Sequence, residues 1–181
     1  WCNKWRIKLN TEKTQLVCFS STKKDSDDSL SLYGKKLKTQ SKLKVLGVSF
    51  SYQGCLQHHC KERISKANQS LNLLKCVKGQ GWGASRKVLL RLYKQFVRPA
   101  LEFGSSCTAT TSDSNLDALQ VMQNRALRCI LQLPPWTKVA ELHELSGVET
   151  LRPRLKCLRQ KAIERFGSSR LMTLLEERKT L

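Results

Sequence analysis

The run CLQHHC, residues 55–60, brings Cys55, His58, His59 and Cys60 into six positions, four donors of the kind that hold zinc. Ligands so tightly bunched can hardly surround one ion tetrahedrally, and no second Cys/His pair follows at finger spacing, so no metal site is expected. No Ser/His/Asp or Cys/His pairing has the spacing of a hydrolase. A second stretch is WRIKLNTEKTQLVCF, residues 5–19. Asn10 and Thr14 bracket Lys13 there, and both fit a turn closed by side chain-to-backbone hydrogen bonds better than a substrate site.

The third feature is a block of cations. From Ile64 to Leu101 there is no acidic residue, while Lys66, Lys75, Lys78, Arg86, Lys87, Arg91, Lys94 and Arg98 all fall there. Surfaces that are merely solvated mix signs, because like charges at i, i+4 cost some tenths of a kcal/mol per pair. Lys87, Arg91, Lys94 and Arg98, at i, i+4, i+7 and i+11, are expected to stack along one helix face opposite Leu89, Leu92, Tyr93 and Phe96. Such a stripe suits phosphates. Trp82, between Lys78 and Arg86 in GQGWGAS, either stacks on a base or sugar or packs down to anchor its loop.

The whole composition agrees. The 181-residue chain carries 33 Lys and Arg against 14 Asp and Glu, a formal charge of +19, which points to a polyanionic partner. Apolar residues make up 40%, enough for a core, and no apolar run reaches the roughly 18 residues of a membrane span. The eight cysteines fall mostly on apolar positions of expected elements, which favours buried thiols in an intracellular protein over disulfides. The chain opens on Trp1 and its first Met is Met122, as expected of a piece of a longer polypeptide.

The elements that must position these residues fall into an α+β order: a small antiparallel β element on the N-terminal side, then a mostly α-helical bundle. Trp1, Trp5 and Leu9 fit one face of a helix end, and Gln15–Ser20 fits a strand. Leu30–Tyr33 and Lys36–Lys38 fit a hairpin through Gly34, and Leu43–Ser51 another strand. Past Gly54 the period turns helical. Cys60, Ile64, Ala67, Leu71, Leu74 and Val77 form a stripe, and Ser85 caps a helix that runs to about Val97, ahead of Pro99. Ser114 with Asp117 opens a helix lined by Leu119, Met122, Ala126, Ile130 and Leu133, ended by Pro134 and Pro135. Thr137–Ser146 stops at Gly147, Arg152–Phe166 starts with Pro153 in its first turn and ends at Gly167, and Ser168 or Ser169 caps a last helix.

Taken together, these segments resemble the reverse transcriptases of non-LTR, LINE-type (jockey- or CR1-like) retrotransposons. WRIKLNTEKTQLVCF resembles the segment after the polymerase active site, with Trp5, Asn10, Lys13 and Thr14 at its marked positions. KVLGVSF, residues 44–50, resembles the Leu-Gly-Val strand at the primer grip. RISKANQSLNLL, LYKQFVRPALEFG, LQVMQNRALRCILQLP and LHELSGVETLRPR follow in the family's order. The resemblance implies the end of a palm over 1–54, a basic thumb over 55–110 and a helical post-thumb region over 111–181. It implies RNA and DNA, as template–primer duplex, for a partner, together with the rest of the polymerase chain, and the nucleus and cytoplasm for location. Lys66, Lys75, Lys78, Trp82, Arg86, Lys87, Arg91, Lys94 and Arg98 become the expected nucleic-acid contacts.

The Mg²⁺ pair that the full-length parent uses needs closely set carboxylates, which in this family precede the Trp segment. Asp27–Asp28 is the one Asp-Asp pair, but it lies in the polar run STKKDSDDS, in the wrong order. The resemblance offers Lys13 as an accessory that assists departing pyrophosphate, against the alternative of a solvated turn lysine. A piece that grips duplex without a complete catalytic site, and without a cofactor of its own, is therefore expected. The alternative is a stand-alone basic helical nucleic-acid-binding or scaffold protein left by a decayed or co-opted element.

Overall fold

The computed structural model describes residue 2 and residues 4–19, 30–78, 83–109 and 111–166. Trp82, Asp27–Asp28 and the helix expected after Gly167 lie outside them. The fold is α+β, with two antiparallel strand pairs ahead of seven α-helices among the described residues. Close contacts divide the chain into two units, 1–59 and 60–181.

In the first unit, strands β1 (Ser31–Leu32) and β2 (Lys35–Lys36) pair as the expected hairpin. Its turn is Tyr33-Gly34, with φ of 51° and 77°, a left-handed pair that matches the strand twist. The segment KVLGVSF corrects its expectation. It is not part of one strand but of a second hairpin, β3 (Lys42–Val45) against β4 (Val48–Ser51), with Val45 opposite Val48. Leu46 and Gly47 form the two-residue turn at φ 48° and 84°. Asn-Gly announces such a turn, and Leu-Gly does not. Leu46 is 94% exposed at its tip.

Two other expectations shrink. The strand over Gln15–Ser20 is a single parallel bridge, Leu16 with Thr39, closed by the Gln40 N–H donating to the Leu16 carbonyl at 2.7 Å. Among the described residues of the expected helix end, which leave out Trp1, there is a turn in which Ile7 N–H donates to the Cys2 carbonyl. Arg6 sits at φ 51°, a left-handed conformation through which a right-handed helix cannot propagate, and Trp5 and Leu9 are exposed. Asn10 behaves as expected. Its Oδ1 accepts the Glu12 and Lys13 N–H groups, and the Thr14 hydroxyl donates to its carbonyl at 2.7 Å.

The second unit is built on α1 (Gln57–Lys78), which starts at the end of the first. Cys60, Ala67, Leu71 and Leu74 line its buried stripe, Ile64 is half-buried, and Val77 is exposed near the end. α2 (Arg86–Leu92) begins after Ser85, which takes the cap position without a side-chain cap bond. The chain does not stop ahead of Pro99. A π-helical turn, Tyr93–Val97, leads directly into α3 (Arg98–Glu102), with Pro99 in its first turn. A mid-helix proline removes one backbone bond and crowds the carbonyl four residues back; the widened turn before it relieves that crowding.

After the short α4 (Ser105–Thr108), α5 (Asp113–Leu131) runs through the middle of the core. It starts at Ser112 rather than Ser114 and ends at Gln132 in the left-handed conformation, so Leu133 falls beyond it. α6 (Val139–Ser146) ends on Gly147 at φ 58°, and α7 (Leu151–Phe166) carries Pro153 in its first turn, both as expected. One core takes Leu71, Leu89, Tyr93, Leu101, Leu119, Leu127, Leu142 and Leu155, so helices from both expected helical regions share it.

A polar seam that the periodicity concealed pins α5 to α6 and α7. Gln120 Oε1 accepts the Leu151 N–H at 2.7 Å, and Gln123 Nε2 donates to the Glu149 carbonyl at 3.0 Å. His143 holds the Val148 carbonyl through Nδ1 at 2.7 Å, so that nitrogen carries the hydrogen.

Candidate nucleic-acid interface

The basic block divides when it folds. Lys66 and Lys75 stand exposed on α1, and Lys78 is half-buried at the helix end, where cations suit the helix dipole. Arg86 and Lys87 are exposed in the first turn of α2, which holds no acid. Cations there oppose the dipole, so folding alone gives no reason for them. Arg91 and Lys94 follow on exposed positions.

Arg98 leaves this face. Its Nε lies 3.2 Å from Glu102 Oε1, and the side chain is 23% exposed. The cause is the π-turn. A stripe at i, i+4, i+7, i+11 assumes roughly 100° per residue throughout, and a stretch wound with more residues per turn rotates everything after it out of phase. Glu102 also accepts from Arg154 Nε at 3.0 Å, and Arg154 reaches Glu149 at 3.4 Å. The Glu102 carboxylate holds the Arg154 guanidinium above its ordinary value. The Glu102–Arg154 pair joins α3 to α7. Arg152 does similar service at the surface, bridging Asp113 at 2.6 Å and Asp117 at 2.8 Å.

Phe96 corrects its expectation: it is 58% exposed, while Leu89, Tyr93, Val97 and Leu101 are the buried set. Burial pushes the Tyr93 phenol up to about 12, an effect the neighbouring Gln123 side chain partly opposes. Arg63 was not legible as an interior residue. Its side chain is 4% exposed, and its guanidinium lies 4.8 Å from the centre of the Phe103 ring.

Cysteine burial is also less than expected. None of the eight forms a disulfide, but Cys60 is the one buried thiol, and Cys55, Cys76 and Cys157 are exposed. His59 is buried, and its Nδ1 accepts the Ser49 N–H at 3.4 Å. Among the described residues no three His, Cys, Asp or Glu side chains converge where a cation could sit. Lys13 is exposed on its turn, and no described helix is long and apolar enough to cross a membrane.

Two curated proteins of Drosophila melanogaster match. The "Probable RNA-directed DNA polymerase from transposon BS" is 25% identical over 156 residues, 86% of this chain. The chain is related to the reverse transcriptases of non-LTR retrotransposons. The "RNA-directed DNA polymerase from mobile element jockey" is 24% identical over 172 residues, 92% of the chain. The chain spans 17% and 18% of the length of these two reverse transcriptases. No family model and no solved structure matches it.

Proposed function

We propose that this chain is the palm-to-thumb portion of a retrotransposon RNA-directed DNA polymerase and grips template–primer duplex through the exposed cations of α1 and α2. The observation that carries this reading is the run of exposed Arg86, Lys87, Arg91 and Lys94 in a stretch without acids, within a chain related to such polymerases. Cations of this kind read the backbone and add affinity and salt dependence rather than sequence choice. Lys66, Lys75 and Lys78 extend the grip, and Trp82, outside the described residues, is a further expected contact. The rest of the polymerase supplies the metal carboxylates, and its setting is the nucleus and cytoplasm of the host cell.

The test is hybrid binding across a salt series. Neutralising Lys87, Arg91 and Lys94 together lowers the slope of log affinity against log salt by about 2.7, at about 0.9 per phosphate contact. Arg98→Gln leaves the slope unchanged, because Glu102 already engages that side chain. An unchanged slope in the triple variant would sink the reading. Lys13 acts only in a chain that also brings the metals. In the full polymerase, Lys13→Ala slows single-nucleotide incorporation in rapid-quench measurements and leaves hybrid affinity intact; equal incorporation rates would return Lys13 to a plain turn residue.

A further inference from the structure

The first unit carries its own basic surface, apart from the helical block. Every Lys and Arg among its described residues is exposed, against a single acid, Glu12. Two of these cations, Lys8 and Lys35, line an open cleft of about 540 Å³ where the turn at residues 8–12 meets the β1–β2 hairpin, within the range of ligand sites. Tyr33, Asn10 and Glu12 share the lining with them. The Tyr33 hydroxyl accepts the Leu9 N–H at 3.3 Å, which ties the hairpin to the turn, while the residue stays 55% exposed.

The lining selects its occupant. Two cations call for anions, and an exposed phenol ring offers a stacking face. Glu12 disfavours a dense phosphate cluster, such as a free triphosphate, but accepts hydrogen bonds from exocyclic amino groups. The ligand that alternates single phosphates with planar, amino-bearing groups, and leaves their faces open, is single-stranded nucleic acid. We propose that this cleft binds single-stranded RNA or DNA, with Lys8 and Lys35 on backbone phosphates, Tyr33 against a base and Glu12 accepting from that base's amino group. The site uses no residue of the helical face, so it stands whether or not that face grips duplex.

Fluorescence anisotropy of the whole chain with short labelled oligo(dC) and oligo(dT) tests it. Wild type binds oligo(dC) more tightly than oligo(dT), which lacks an exocyclic amino group, and Glu12→Ala removes the preference. Lys8→Gln with Lys35→Gln lowers the salt slope for oligo(dC) by about 1.4, at about 0.7 per contact on single strands. Tyr33→Leu weakens binding from several-fold to about 100-fold at unchanged slope, whereas Tyr33→Phe, which keeps the ring, stays near wild type. Circular dichroism checks each fold. Should Tyr33→Leu unfold the unit, the lysine pair and Tyr33→Phe decide. Wild-type oligo(dC) binding by the folded double-lysine variant would overturn the proposal. So would displacement of the oligonucleotide by dCTP at equal concentration, since the cleft would then take free nucleotides. The Lys87, Arg91 and Lys94 variant keeps the dC preference and its dependence on Tyr33, which separates this site from the duplex grip.

Discussion

Tyr93 carries its phenol into the helical interior with no measurable exposure, and burial raises it from 10.0 to about 12. The sign follows from linkage. A raised folded-state value makes stability that is complete below the unfolded pKa, near 10, and lost as pH climbs toward 12. The loss is on the order of 2–3 kcal/mol, at about 1.4 kcal/mol per pH unit. Tyr93→Phe abolishes this alkaline component and leaves neutral stability within about 1 kcal/mol, as chemical denaturation between pH 9 and 12 will show; a variant that still loses stability over that range would contradict it. At this scale the sequence was readable where chemistry is local. Asn10 and Thr14 act on their own turn, and their side chains announce it. Arg98 was expected on the cationic stripe, but the π-turn rotates it toward Glu102 one turn on, and Arg63 went unmarked because its partner, Phe103, arrives only through folding.

Among the elements, the approach to α2 leaves little latitude at Gly83. Gly83 sits at φ +144°, and a Cβ there would lie 2.1 Å from the Lys78 carbonyl oxygen. Ala84 next to it donates to the Val77 carbonyl at 3.2 Å, so Gly83 and Ala84 lie against the end of α1. Gly83→Ala meets both a forbidden backbone region and a backbone clash, and lowers stability by about 2–4 kcal/mol in thermal melts followed by circular dichroism. A melting temperature within 2–3 °C of wild type would mean the approach to α2 can shift. Helices showed themselves in the sequence through their periods and through stops such as Gly147. The β elements were harder. A two-residue turn built on Leu-Gly lacks the side-chain chemistry that flags one, so KVLGVSF looked continuous when it reverses.

For the whole molecule, the two units differ sharply in what they bury. The large core set lies from Cys60 onward, whereas among the described residues before it Leu56, Ser49 and His59 are the buried ones. Local stability follows buried contact, so amide exchange is expected to be slowest in the middle of α5 and fastest over residues 4–19. Uniform protection across both units would contradict that division. The order of small antiparallel strand pairs before basic helices was legible because charge and period are global averages that survive local errors. How the cations distribute was not, since exposure depends on winding and on partners far along the chain.

The π-turn at Tyr93–Val97 explains one more regularity. Leu89, Tyr93, Val97 and Leu101, all but fully buried, recur every four residues without exception. In an α-helix that spacing gains about 40° per step, so the last would stand some 120° away from the first. Winding with more residues per turn cancels much of that drift. An unbroken apolar repeat of four is thus the signature of an inserted residue, written into the chain before folding. Other sequences with such a repeat ahead of a proline can be searched for the same slip in phase.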